Sequence, residues 1–347
     1  MAYISFQPSD FFNTVLYTGN QPSSNPVTGV GFQPDIIWVK DRDATPNHVF
    51  FDAVRGTTKS FYPNLTNAEV TDANGLTAFG ADGFTVADWS QPNTNGDDYV
   101  SWNWKMGTTS GATFGTAGIT PTSYSINTTT GQGVYKYSGG DGFGASTVAH
   151  GLGAAPDWVI IKRIEDNGHG WQTTNTKLGF THTLKIESNG AVSTSTPWWN
   201  DTAPTSDVVN IGGDSWNNLS GKTFMMYCFT NKRGFFKTGS YTGNGNADGA
   251  FVYTGFRPAF VLVKKTNGTG SWWLFDNKRL GYNVANDRLY TDDTAVEATA
   301  TVIDFVSNGF KFRTTDGDLN GDGNTIIYAS FAEFPFVSSN SKAGTAR

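Results

Sequence analysis

One cysteine, Cys228, is all that a chain of 347 residues contains, which excludes an intramolecular disulfide framework and any cysteine-based zinc site. Charge is scarce as well. Asp, Glu, Lys and Arg make up 16% of the residues, against about 25% in ordinary soluble domains. Cations are the rarer sign, 24 Lys and Arg against 30 Asp and Glu, for a net charge of −6. A protein that binds a phosphate backbone needs the opposite balance, with Lys and Arg clustered, so nucleic acid is not an expected partner. No apolar run approaches the roughly 18 residues that would cross a bilayer as a helix, so no membrane insertion is expected. The opening Met1-Ala2-Tyr3-Ile4-Ser5-Phe6-Gln7-Pro8 lacks both a basic stretch and an apolar one, which predicts no secretory signal peptide. Abundant instead are glycine, 41 residues, and aromatics, with 26 Phe, 13 Tyr and 11 Trp. That is the composition of short strands joined by tight turns. At about 150 residues per domain, the length predicts two or three domains.

The residues repeat. Pro34-Asp35-Ile36-Ile37-Trp38-Val39-Lys40 matches Pro156-Asp157-Trp158-Val159-Ile160-Ile161-Lys162, and both match Pro258-Ala259-Phe260-Val261-Leu262-Val263-Lys264. Upstream of each lies a tyrosine and a glycine turn: Tyr17-Thr18-Gly19-Asn20, Tyr137-Ser138-Gly139-Gly140 and Tyr241-Thr242-Gly243-Asn244. Downstream of each, a loop rich in Gly, Asn and Asp leads into Tyr99–Trp104, Phe224–Phe229 or Ile326–Phe331. Three anchors in one order define a triplication. The proline-started segments carry consecutive apolar residues, which suits strands buried on both faces. Asp82-Gly83 and Asn308-Gly309 are hairpin signals. The expected fold is all-β, three tandem antiparallel β-sandwich repeats of jelly-roll type. Its expected divisions are a leader at 1–14, repeats at 15–106, 131–233 and 234–336, a linker at 107–130 and a flexible tail at 337–347. The nearest approach to a helix, around residues 295–305, reads equally as a strand or a turn.

Catalytic constellations are hard to find. There is no Gly-x-Ser-x-Gly elbow, and His48, His150, His169 and His182 show no pairing at metal-ligand spacing, so an enzyme is not expected. Cys228 sits in an apolar run and reads as a small buried hydrophobe. Asp316, Asp318, Asn320 and Asp322 fit the first half of a calcium loop, with Gly321 at the sixth position. The twelfth position holds Ile327 in place of a bidentate glutamate. A bland alternative stands beside calcium: a hairpin loop of turn formers, as at residues 93–98 in the first repeat. Trp102, Trp104 and Trp272 alternate with polar residues and read as core. Trp216, in Asp214-Ser215-Trp216-Asn217-Asn218, falls in a turn and is the exposed aromatic expected to serve as a binding platform. The leader carries Phe6, Phe11 and Phe12 among polar residues, and such rings mark an interface. They read as an anchor to a partner.

Ser5-Phe6-Gln7-Pro8-Ser9-Asp10-Phe11-Phe12-Asn13-Thr14, Gly29-Val30-Gly31-Phe32-Gln33-Pro34-Asp35, Trp199-Asn200-Asp201-Thr202-Ala203-Pro204-Thr205-Ser206 and Phe251–Pro258 resemble the opening and the repeated blocks of a family of virion structural proteins from tailed, mostly marine, bacteriophages. The resemblance runs from about residue 3 to residue 336. It implies a tail-fibre-like protein in the virion, assembled in the host cytoplasm, with other tail or capsid proteins as partners. By the same analogy it implies a homo-oligomer, a trimer by default. Contact with a host receptor or surface glycan would then be the activity, and the leader would be the virion anchor. A capsid decoration or head fibre protein is the alternative, and a glycan depolymerase with paired carboxylates is a third reading. The resemblance supplies no catalytic residues.

Overall fold

The computed structural model describes residues 4–140, 144–194, 196–279, 283, 287–299 and 301–336. The tail expected at 337–347 lies outside the described residues. Apart from a few single helical turns, the fold is all-β and antiparallel. Three stretches of the chain repeat one strand order. In the first, a large sheet runs Phe12–Thr18, Asp98–Trp104, Ile36–Asp41, Val49–Asp52, faced by a small sheet of Asn25–Thr28, Gly83–Val86 and Leu76–Gly80. In the second, the order Gln132–Ser138, Thr223–Phe229, Trp158–Arg163, Gln172–Asn175 recurs, and in the third Phe236–Thr242, Thr325–Pro335, Phe256–Lys265, Trp273–Asp276.

The consecutive apolar residues of the proline-started strands are explained by two cores. Side chains alternate along a strand, so Ile37 and Val39 enter a core between the two sheets of their own unit, while Ile36 and Trp38 enter a second core on the opposite face. Val159 and Ile161 part from Trp158 in the same way, as do Val261 and Val263 from Phe260 and Leu262. The second core is common to all three units. Each large sheet therefore buries most of its outer surface against the other two.

The units close into a ring through hydrogen bonds at equivalent registers. His48, Trp171 and Trp272 each precede the fourth strand of their sheet. Their ring nitrogens meet the backbone carbonyls of Tyr290, Tyr62 and Lys185 at 2.8, 3.1 and 2.9 Å. The first unit thus reaches the third, the second reaches the first, and the third reaches the second. A matching backbone set joins the N–H of Glu69, Val192 and Glu297 to the carbonyls of Ile164, Thr266 and Arg42 at 2.8, 3.0 and 2.9 Å. Such head-to-tail contacts leave open ends unless the rotation closes. Here it closes at three, within one chain.

A third set varies with the residues available. Tyr227 Oη donates to Asp52 Oδ2 at 2.9 Å, and Trp102 Nε1 donates to Asp276 Oδ2 at 3.1 Å. The third unit has Ala329 where those rings stand, as the pairings Trp38–Trp102, Ile160–Tyr227 and Leu262–Ala329 establish. Thr238 replaces the missing partner, its hydroxyl accepting from Asn175 Nδ2 at 3.1 Å. Asp52 and Asp276 also hold Arg55 and Arg279, each at 2.6 Å with both side chains almost sealed from water.

The leader departs from its expected role. Phe12 is 2% exposed and stacks on Phe331, while Phe6 and Phe11 pack edge-on against Phe235. Phe12 is buried and Phe6 and Phe11 are half-buried, and all three rings pack on phenylalanines of the third unit, fastening the first unit to it. The reason is written in the sequence. Phe11-Phe12-Asn13-Thr14 through Tyr17-Thr18-Gly19-Asn20 has a counterpart in Phe235-Phe236-Lys237-Thr238 through Tyr241-Thr242-Gly243-Asn244, so the two phenylalanines open a repeat and do not precede one. Part of the linker is likewise structured: Ser123–Asn127 is an edge strand on Gln132–Ser138. The stretch around 295–305 contributes the strands Ala298–Thr299 and Ile303–Val306.

Candidate functional site

Threefold equivalence separates what holds the fold from what is peculiar to one unit. The tyrosine and glycine turns belong to the first kind. Tyr17, Tyr137 and Tyr241 donate their hydroxyls to the carbonyls of Pro92, Asn217 and Leu319 at 2.8, 2.7 and 2.7 Å. The next residue in each case is a buried asparagine, Asn93, Asn218 or Asn320. A Cβ on Gly243 would lie 2.2 Å from the Gly321 carbonyl oxygen, so only glycine permits the approach.

That equivalence decides the reading of the 316–322 loop. Asn320 Oδ1 accepts from the backbone N–H of Asn244 at 3.1 Å, and its amide donates to Asn244 Oδ1 and to the carbonyls of Asn246 and Thr314, each at 2.8 Å. Asp318 is paired with Lys265 at 2.8 Å, Asp316 accepts from the Asp318 N–H at 2.8 Å, and Asp322 faces solvent. The four side chains are not brought to one centre. Among the described residues no three carboxylate or imidazole groups converge as a metal site would need. Asn320 is a pin of the kind found at Asn93 and Asn218. The residues present therefore do not fit a calcium ion.

Trp216 is half-buried. Lys185 Nζ lies 4.4 Å above its ring and the His169 ring packs at 5.4 Å. Its face is thus already covered by a cation, and a sugar would have to displace it. Trp102, Trp104 and Trp272 are buried, as expected of core residues. Lys40, Lys162 and Lys264 close the three proline-started strands and are buried too. Their ammonium groups donate to the carbonyls of Asp41 and Ala44, His169, and Lys265 and Asn189. Burial pulls them down to about 8, about 7 and about 8. His48, buried in the ring contact, is pulled to about 3 and stays a neutral imidazole.

One surface breaks the symmetry. The strands Asn25–Thr28, Ser146–Ala149 and Phe251–Tyr253 take equivalent places in the small sheets, with Val27, Val148 and Val252 pointing inward at matching registers, but in the second unit Ile119 bonds to the outer side of the strand through Thr147 and Ala149. The residues flanking the valine are Pro26 and Thr28 in the first unit and Thr147 and the fully buried Ala149 in the second. In the third they are Phe251 and Tyr253, 49% and 53% exposed. Phe334 and Phe336, also exposed, lie at the end of the large sheet of the same unit, where Arg257 pairs with Phe334 and the Phe336 N–H reaches the Gly255 carbonyl. Four of the six large apolar side chains exposed among the described residues are therefore aromatics of the third unit, two of them on this strand. Cations frame it: Lys237 Nζ sits 5.4 Å from the Tyr253 ring and Arg257 lies over Phe334 at 4.7 Å. Burial and the nearby Lys177 hold the Lys237 ammonium below its usual value. Two rings at alternate positions of a strand stand about 7 Å apart on one face, a flat apolar platform with a polar rim. Alternation around an inward valine was the sequence signal that could have found it: Phe251-Val252-Tyr253 against Pro26-Val27-Thr28.

An all-β ring of three equivalent units with one aromatic edge is thus the kind of protein defined here. The chain belongs to a family described as a domain of unknown function, DUF7483, whose model matches residues 7–335. No curated protein and no solved structure matches it.

Proposed function

We propose that the protein is a structural component of a bacteriophage virion, a tail fibre or receptor-binding protein, and that it contacts a host surface glycan through the Phe251–Tyr253 edge. The observation that carries this reading is the clustering of the exposed aromatics of the described residues in the third unit, with Phe251 and Tyr253 side by side on the edge strand of its small sheet. Rings in water are costly to maintain and mark a contact surface when they cluster. The Phe251 ring suits the apolar face of a sugar, and Lys237, over the Tyr253 ring at 5.4 Å, would have to swing aside to serve the sugar's hydroxyl edge. The resemblance of the repeated blocks to tail-fibre-like virion proteins supports the setting. A rigid ring supports the mechanics, because a body without internal hinges transmits load from the particle to the contact.

The test is binding of the purified chain to polysaccharide from the host envelope, beside the variant Phe251→Ala/Tyr253→Ala. Loss of two stacking rings should weaken binding about tenfold or more, while the melting temperature holds because both rings face solvent. Equal binding by the variant would remove the edge from the account. In purified particles, a few to a few tens of copies would fit a fibre, whereas hundreds would mark a capsid decoration protein.

A further inference from the structure

The shared core is incompletely filled. A cavity of about 60 Å³ lies among residues contributed by all three units, and the surface bounding it is wholly apolar. Its lining follows the ring. Trp38, Ile160 and Leu262, which occupy one register in the three units, all border it, and so do the residues that pair beside them, Tyr227 and Ala329.

The origin of the void is the departure from threefold equivalence at Ala329. Trp102 and Tyr227 fill the corresponding positions with rings, both essentially sealed from solvent. Thr238 takes over the hydrogen bond those rings make, but from the neighbouring strand and without their volume. A methyl group is left where two indole or phenol rings stand elsewhere. Protein interiors seldom leave a gap larger than a water molecule, and this one is several times the space that holds a water by the same measure.

What could occupy it follows from the chemistry of the wall. The polar atoms of the lining aromatics are directed elsewhere: Tyr227 Oη to Asp52, Trp38 Nε1 to His48, Trp158 Nε1 to Thr173 and Trp171 Nε1 to the Tyr62 carbonyl. The Trp104 indole N–H is buried without a partner but adds no surface to the cavity. A water inside would need two to four polar partners and finds none on this wall, which therefore favours an apolar guest over water. Apolar cavities of this class take up apolar guests.

We infer that the common core of the three units is a binding site for a small apolar molecule, of the bulk of a xenon atom or a short alkyl group, created by alanine at position 329. Its ligand is held by dispersion alone, so selection is by size and not by polar recognition. This site is independent of the aromatic edge and would stand if glycan binding failed.

Xenon itself is the probe. Crystals of the full chain pressurised with xenon should show one site in the shared core beside Ala329, and Ala329→Val should abolish or strongly reduce its occupancy without lowering the melting temperature. Xenon absent from the core under pressure, or ordered water found there, would overturn the inference. So would undiminished xenon occupancy in Ala329→Val, because the gap would not then be the one left by this alanine. Should that variant fold poorly, the wild-type xenon map alone decides whether the core takes the guest.

Discussion

Replacing Asp276 tests the ring where its units differ. Asp276 Oδ2 receives Arg279 Nε at 2.6 Å and Trp102 Nε1 from the first unit at 3.1 Å, while Oδ1 takes the backbone N–H groups of Lys278 and Arg279. Asp276→Asn keeps the shape but sets an amide against two donors and leaves a buried guanidinium short of its charge partner. Breaking one side of a buried pair costs about 3–5 kcal/mol, and the lower end applies because Arg279 retains Glu297 at 2.9 Å and the Leu274 carbonyl. The second unit shows how the charge is avoided. There Asn175 makes the same two backbone contacts, to Lys177 and Leu178, with leucine where arginine stands. Asp276→Asn/Arg279→Leu therefore reproduces a pair the fold already accepts. In urea unfolding followed by tryptophan fluorescence, the double variant should lose at least about 1.5 kcal/mol less than the sum of the single variants. Additivity within about 0.5 kcal/mol would refute the claim that the two positions act as one unit.

Stability should rise with pH above neutrality. Lys40, Lys162 and Lys264 are held near 8, 7 and 8 when folded, against about 10.4 when unfolded. The unfolded chain therefore binds more protons between those values, and the penalty of burying the ammonium groups is fully present below about pH 7 and relieved as pH rises toward 10. Urea midpoints measured from about pH 8 to about pH 9.5 should climb by about 1 kcal/mol per unit or more in the derived free energies, and Lys162→Met should flatten the slope; a flat wild-type profile would contradict the burial. Phe12→Ala removes a ring from the shared core and should cost about 3–5 kcal/mol by the same assay. A cost under about 1 kcal/mol would restore the leader as a separable anchor.

The triplicated strands could be read directly, because an opening proline, a run of β-branched and aromatic residues and a closing lysine coincide at Pro34–Lys40, Pro156–Lys162 and Pro258–Lys264. That these runs are buried on both faces was legible too. What covers the second face was not. Ile36 and Trp38 carry no mark distinguishing a partner unit from a second sheet, and the partners lie more than a hundred residues away in Phe260 and Tyr227. Phe11-Phe12 was misread for want of one comparison, with Phe235-Phe236. The loop at 316–322 misled differently. Its spacing of oxygens is what a calcium loop needs, but Asn320 serves the Tyr241 turn, a demand visible only when Asn93 and Asn218 are seen in the same place. Trp216 fell in a turn, yet Lys185 reaches it from a strand and His169 from a loop, and turn propensity carries no record of that.

Calorimetry of the full chain bears most directly on the ring. Each large sheet buries most of its outer face against the other two, so no unit can leave the assembly without exposing Phe12, Trp158, Phe260 and their neighbours to water. The chain should therefore melt in one transition whose calorimetric and van't Hoff enthalpies agree, the mark of a single cooperative unit. Two or three separable transitions, each matching the enthalpy of about a hundred residues, would show three independent sandwiches on a string and contradict the account.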